Sequence, residues 1–177
     1  DVWKTPLGEV KVEGQIVDKF CKECSLMDID EDAHRFEHSI EVQLPFLQFI
    51  YGDFNFVPIV MRIQDLETCQ ELAKCIAIDQ SLILASSDFS HYEEKNVAFE
   101  KDKKVMKYLL AMDEKKFIQT VNDLDVSVCG YGPIAVCLSA SKMLGATKCE
   151  ILKYGSSGDI TGDDSSVVAY SAILFRR

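Results

Sequence analysis

The sequence predicts an α/β fold: a layered domain with a central, mostly buried sheet flanked by helices. Three observations carry that prediction. Short apolar runs of strand length stand at 54–63, 81–85 and 166–175. Stretches with apolar residues at helical spacing separate them, so strand and helix patterns alternate from residue 54 onward. Finally, 177 residues with no repeat, linker or low-complexity tract suit one domain, taken as 1–177.

The elements follow in order. VWKTPLGEVKV (2–12) places β-type residues on both sides of Pro6 and Gly8, the composition of two strands joined by a turn. GQIVDKFCKEC (14–24) spaces Ile16, Val17, Phe20 and Cys24 as a helix does. An acidic stretch, DIDED (28–32), leads into HRFEHSIEVQLPFLQ (34–48). FNFVPIVMRI (54–63) reads as a buried strand, and LETCQELAKCIA (66–77) as a helix with Leu66, Cys69, Leu72, Ala73 and Ile76 on one side. SLILASSDFSHY (81–92) begins as a buried strand and ends in polar residues. Helices are expected at about 95–112 and 114–122, then over 133–144, where Ile134, Cys137, Leu138, Ser141 and Leu144 share a face. The last strands, 150–155 and 166–175, flank a Gly/Ser/Asp loop.

Composition excludes several function classes. The net charge of −10 repels a phosphate backbone, and the one dense basic run, 101–107, reads as the wet face of a helix, so nucleic acid is not an expected partner. No apolar run reaches the roughly 20 residues of a membrane helix, so no membrane contact is expected. Seven cysteines, an odd number without framework spacing and without a secretory signal, fit a reducing cytoplasmic setting.

Five motifs invite a chemical reading. His34, Glu37 and His38 fit H-x-x-E-H; on a continuous helix they gather beside Glu41, next to a stripe of Phe36, Ile40, Leu44 and Leu47. That is the ligand spacing of some zinc peptidases, and equally a polar face beside a core stripe, with Pro45 set to kink or end the helix. In SSDFSHY (86–92), Asp88 and His91 follow an apolar strand, where ligands sit in open α/β sheets. They form either an orienting carboxylate with a proton-transfer imidazole, or a helix start with Ser87 or Asp88 as cap. CGYGPIA (129–135) sets Cys129 just ahead of a helix, whose positive end favours a thiolate able to ligate a metal or act in redox chemistry. A small buried residue in a tight turn is the alternative there, and Pro133 argues against a dinucleotide cradle in the same letters. CKEC (21–24) has no second pair to complete a zinc ribbon, and GSSGDITGDDSS (155–166) misses the EF-hand spacing.

Taken in order, VWKTPLGEVKV, EHSIEVQLPFL, SSDFSHY, CGYGPI and YGSSGDITGDDSSVVAYSA resemble the Memo family, the group that includes the AmmeMemoRadiSam system protein B. Five blocks in the same order cover nearly the whole chain. The shared block begins at Glu37, which leaves His34 outside it. The resemblance implies a fold similar to the class III extradiol dioxygenases, and a site holding iron(II) or copper through two histidines and a cysteine. Carried over, Cys129 is the thiolate ligand, His91 the imidazole beside the open metal position and Asp88 its support, with Glu37, His38 and Glu41 behind the ligands. The family's two ligand histidines belong to N-terminal blocks absent from this sequence, so the chain resembles the C-terminal two thirds of a Memo protein and alone should bind metal weakly.

The expectation is therefore a cytoplasmic metal-binding protein with a dioxygenase-like pocket and an oxidoreductase-type role, taking a small molecule. The alternative is a scaffold that receives a peptide or phosphotyrosine-like ligand without catalysis; the zinc peptidase through His34, Glu37 and His38 is the third. Apolar surface left by the absent strands implies association with a missing N-terminal segment or a homo-oligomer.

Overall fold

The structure, a computed structural model, describes residues 1–79 and 81–177. It is a mixed α/β chain whose described residues form two compact units, Asp1–Arg62 and Ile63–Arg177.

The first unit opens with a hairpin. Strands β1 (Val2–Thr5) and β2 (Gly8–Val12) pair antiparallel with Thr5 opposite Gly8, so Pro6 and Leu7 make the turn. Gly8 has φ of 130°, a backbone that side-chain-bearing residues rarely adopt, which is why a glycine closes this turn. Helix α1 (Gly14–Glu23) follows as its spacing predicts and buries Phe20. A one-turn helix, α2 (Glu31–His34), starts where the Asp30 carboxylate accepts the N–H groups of Asp32 and Ala33. Helix α3 (Leu44–Tyr51) comes next, and β3 (Asn55–Phe56) runs parallel to the end of β2. Val10, Phe20 and Leu44 are buried, and Trp3 sets its ring edge-on to Phe56 at 5.4 Å.

The continuous helix that would align H-x-x-E-H does not form. Residues 35–43 are turns, because the Glu37 carboxylate turns back on its own chain and accepts the N–H groups of Ser39 and Ile40. Pro45 then stands in the first turn of α3, opening a helix where it was expected to end one. His34 and His38 thus do not share a helix face, which removes the geometric basis of the zinc peptidase reading.

The second unit is built on helices α4 (Leu66–Ile76), α5 (Lys95–Leu110), α6 (Glu114–Asp123) and α7 (Tyr131–Met143), all within a few residues of expectation. Its sheet has the order β4-β6-β5, with β4 (His91–Glu93), β5 (Lys148–Ser156) and β6 (Val167–Arg176) all antiparallel to their neighbours. A short helix, α8 (Gly158–Thr161), lies in the β5–β6 connection. Val105 and Leu109 of α5, Phe117 of α6, Leu138 of α7, and Val167 and Ala169 of β6 are fully buried.

Two strand expectations fail in the same way. Of 54–63 only Asn55–Phe56 joins a sheet, and 81–90 joins none. The described residues hold two three-stranded sheets rather than one central sheet. The physical reason is pairing: a strand exists only where a neighbouring backbone takes its hydrogen bonds, and no described segment ladders along these runs. Their side chains consequently emerge, with Leu82 71% and Leu84 51% exposed. No helix of the described residues is long and apolar enough to cross a membrane.

Candidate functional site

The site grows from the 81–90 segment, whose last two residues dock onto β6. Phe89 is buried as an anchor; its N–H donates to the Ala169 carbonyl, and the Ala169 N–H returns a bond to Ser90. Pairing continues with His91 opposite Val168 and Glu93 opposite Val167, so Tyr92 bulges out with φ of 58°. The bulge turns His91 away from the core and leaves its side chain 21% exposed.

His91 is held on two sides. Its N–H donates to Ser127 Oγ at 2.7 Å, and ring Nδ1 lies 2.7 Å from the Ser127 carbonyl oxygen. A carbonyl only accepts, so Nδ1 carries the proton and Nε2 is directed elsewhere. Nε2 lies 3.5 Å from Asp88 Oδ2, on a carboxylate that is 45% exposed. Asp88 therefore faces Nε2, and the tautomer is set by a backbone carbonyl that has no side-chain signature in the sequence.

Cys129 enters from the chain ahead of α7. Val126 and Val128 are buried while Ser127 and Cys129 are exposed, so the serine that binds His91 and the cysteine emerge on alternate positions of one short stretch. Cys129 Sγ lies 3.5 Å from Ser87 Oγ and 3.9 Å from the Asp88 carbonyl oxygen. Ser87 also accepts the Gly130 N–H at 2.8 Å, and a Cβ at Gly130 would lie 2.8 Å from Ser87 Cβ, so only glycine admits this approach. Gln64 fastens the other side: its Nε2 donates to the Cys129 carbonyl and its Oε1 accepts the Gly132 N–H. The sulfur and the Asp88–His91 pair thus meet on the same residues, Ser87 and Asp88. A cavity of about 500 Å³ runs between 81–87, α7 and β6, with Ser87, Phe89, Ile134 and Cys137 in its wall; Asp88, His91 and Cys129 do not line it.

The other free thiols of this unit differ in kind. Cys69, Cys137 and Cys149 are buried, and desolvation pushes each up to about 11, which keeps them protonated and inert. Cys129 alone among the free cysteines of this unit is exposed.

Glu37, His38 and Glu41 belong to the first unit. Glu37 is spent on its own turn, and His38 and Glu41 are exposed. In the 155–166 loop the acids serve a lysine rather than a calcium ion: Lys95 Nζ lies 2.9 Å from Asp159 Oδ1 and 3.0 Å from Asp164 Oδ1. That hydrogen bond holds the Asp159 carboxyl below its ordinary range.

Sequence reasoning missed Asp102 altogether. It sits inside the basic run 101–107, whose Lys103, Lys104 and Lys107 are exposed as expected, yet it is itself fully buried. The signal was periodicity: Asp102 falls in line with Ala98, Val105 and Leu109 on the buried face of α5. Its Oδ1 accepts Ser90 Oγ at 2.7 Å and the Ser90 N–H at 3.2 Å, while its Oδ2 accepts Tyr154 Oη at 2.7 Å. Desolvation raises its carboxyl above the usual range against these donors, and burial together with the bond to Asp102 raises the Tyr154 hydroxyl.

With this geometry in hand, comparison with known proteins decides the family. The model of the family described as Memo-like protein matches residues 1–174. The chain belongs to the Memo-like family. A MEMO1 family protein of Methanopyrus kandleri is 46% identical over 182 residues, covering 99% of this chain and 64% of that protein. One from Methanocaldococcus jannaschii is 45% identical over 183 residues, covering 98% and 64%, and one from Methanothermobacter thermautotrophicus is 38% identical over 175 residues, covering 96% and 63%. This Memo-like chain thus spans less than two thirds of the length of these relatives. Its thiol and imidazole are donors of the right chemistry for iron or copper. Among the described residues, however, no group of three or more His, Cys, Asp or Glu could hold a metal ion.

Proposed function

We propose that this Memo-like chain contributes one wall of a metal-binding redox pocket of the class III extradiol dioxygenase type, working in the cytoplasm. The observation that carries the reading is the meeting of Cys129 Sγ, the Asp88 carbonyl and the Asp88–His91 pair on one short segment. Cys129 would hold the metal, with the remaining ligands drawn from residues outside this chain. Iron(II) or copper, when bound, supplies redox chemistry at positions left open to a small oxidisable molecule. His91 is the acid–base group: with Nδ1 tied to Ser127, its Nε2 holds or accepts a proton on the side where Asp88 stands. Asp88 steadies the imidazolium that results. The cavity, largely apolar and bordered by serines and by Arg176 and Arg177, suits a small molecule. Assembly with a further segment or a second copy would cover the exposed runs at Leu82 and Leu84.

The test is metal analysis of the full-length protein. Purified without added metal, it should carry iron or copper close to one per chain, and Cys129→Ala should abolish that content while leaving the far-ultraviolet circular dichroism unchanged. Metal content that survives Cys129→Ala refutes the assignment. Peptide binding indifferent to that substitution would favour the scaffold class instead.

A further inference from the structure

Asp102 is a buried titratable group that the pocket described above does not use. It lies on the core stripe of α5 with no exposed surface, a position where a carboxylate is costly unless donors compensate it. Three donors do so, and two of them belong to one residue: the N–H and O–H of Ser90. Ser90 is fully buried and immediately precedes His91. The third donor, Tyr154 Oη, reaches the other carboxylate oxygen from β5. Only a carboxylate offers two oxygens that accept from all three at once; an amide would turn a donor toward one of them.

The backbone of Ser90 is therefore fixed from inside by Asp102 and from the sheet side by Ala169, just as His91 is fixed from outside by Ser127. One residue along a strand reverses the side-chain direction, so a shift at Ser90 is passed directly to the imidazole. We propose that Asp102 is a positioning residue for His91: by gripping Ser90 through its N–H and O–H, it holds the ring with Nδ1 on the Ser127 carbonyl and Nε2 toward Asp88. The proposal rests on the reading of His91 as the acid–base imidazole, but the quantity it governs, the ring tautomer, exists whether or not a metal binds.

The test is nitrogen-15 NMR of the metal-free full chain labelled at histidine, above the pH at which imidazoles titrate. Three histidines are present, and His91→Gln assigns the signal. The native protein should show His91 as a single Nδ1–H tautomer. Asp102→Ala and Ser90→Ala should convert it to an exchanging mixture. Tyr154→Phe removes a bond to the same carboxylate but none to Ser90, and should leave the tautomer unchanged. A folded Asp102→Ala protein that keeps the native signature overturns the proposal, and so does a Tyr154→Phe protein that loses it, because the effect would then be general loosening. If Asp102→Ala does not fold, Ser90→Ala decides by the same criterion. Metal content that survives Cys129→Ala would sink the metal reading and leave this result untouched.

Discussion

In Asp1–Arg62 the buried hydrophobic residues are Val10, Phe20, Cys24 and Leu44, whereas Phe36, Phe46, Phe49 and Ile50 are exposed. In Ile63–Arg177 the balance is reversed: four helices and a sheet enclose Val105, Leu109, Phe117, Leu138, Val167 and Ala169 completely. Both regions are rich in apolar residues, so apolar content does not make the difference. What the second unit has is longer helices packed on each other and on a sheet, so apolar stripes find partners; the first has three shorter helices and a small sheet of short strands. The candidate chemistry sits in the unit that supplies its own rigidity, as a positioned site requires.

This contrast can be broken or sharpened by substitution, followed by urea unfolding monitored through far-ultraviolet ellipticity. The largest effect is expected at Phe117: Phe117→Ala should cost about 3–5 kcal/mol through lost burial and a residual cavity. Ser90→Ala should cost about 1–3 kcal/mol, because it leaves a buried carboxylate short of a donor. The pH dependence of stability tests the same acid. Since the Asp102 carboxyl is raised in the folded state, the fold binds its proton more tightly than the unfolded chain does. Its contribution is most favourable below the unfolded value, near 3.8, and is lost as pH climbs through the raised folded value. Asp102→Asn should flatten that decline, and an unchanged slope would show that the carboxylate is not desolvated. Removing the Asp65 cap, whose Oδ1 accepts the Thr68 N–H at 2.8 Å at the start of α4, should cost about 1 kcal/mol in Asp65→Ala. Smallest of all, Phe49→Ala should stay within about 0.5 kcal/mol of the native protein, since Phe49 is 86% exposed. A loss there as large as that at Phe117 would mean that the two regions do not differ as described.

Much of the second unit was legible because its determinants are local. Helical spacing placed α4 through α7 within a few residues, and the apolar runs flanking the 155–166 loop placed β5 and β6. The run at 81–85 was misjudged because a continuous apolar stretch has no period to read, and pairing depends on a partner far away in the chain. The site was legible in its letters but not in its bonds. Cys129, Asp88 and His91 stand out as residue types, whereas the carbonyl of Ser127, 36 residues from His91, carries no identity that a sequence displays. Asp102 was hidden by its neighbours, since a run of lysines suggests a wetted surface and the stripe through Ala98 and Leu109 says otherwise. In the first unit, Glu37 competed with the helix by capturing two amides of its own turn, a choice open to any acid near a chain reversal.

The chain has a single tryptophan, Trp3, on the β1–β2 hairpin, in contact with Phe56 and with the His34 ring at 5.7 Å. Its emission is thus an optical reporter for residues 1–62. Fluorescence and ellipticity melts that coincide would mean that the two units unfold as one cooperative body. Separate transitions would give each its own stability curve without any label being added.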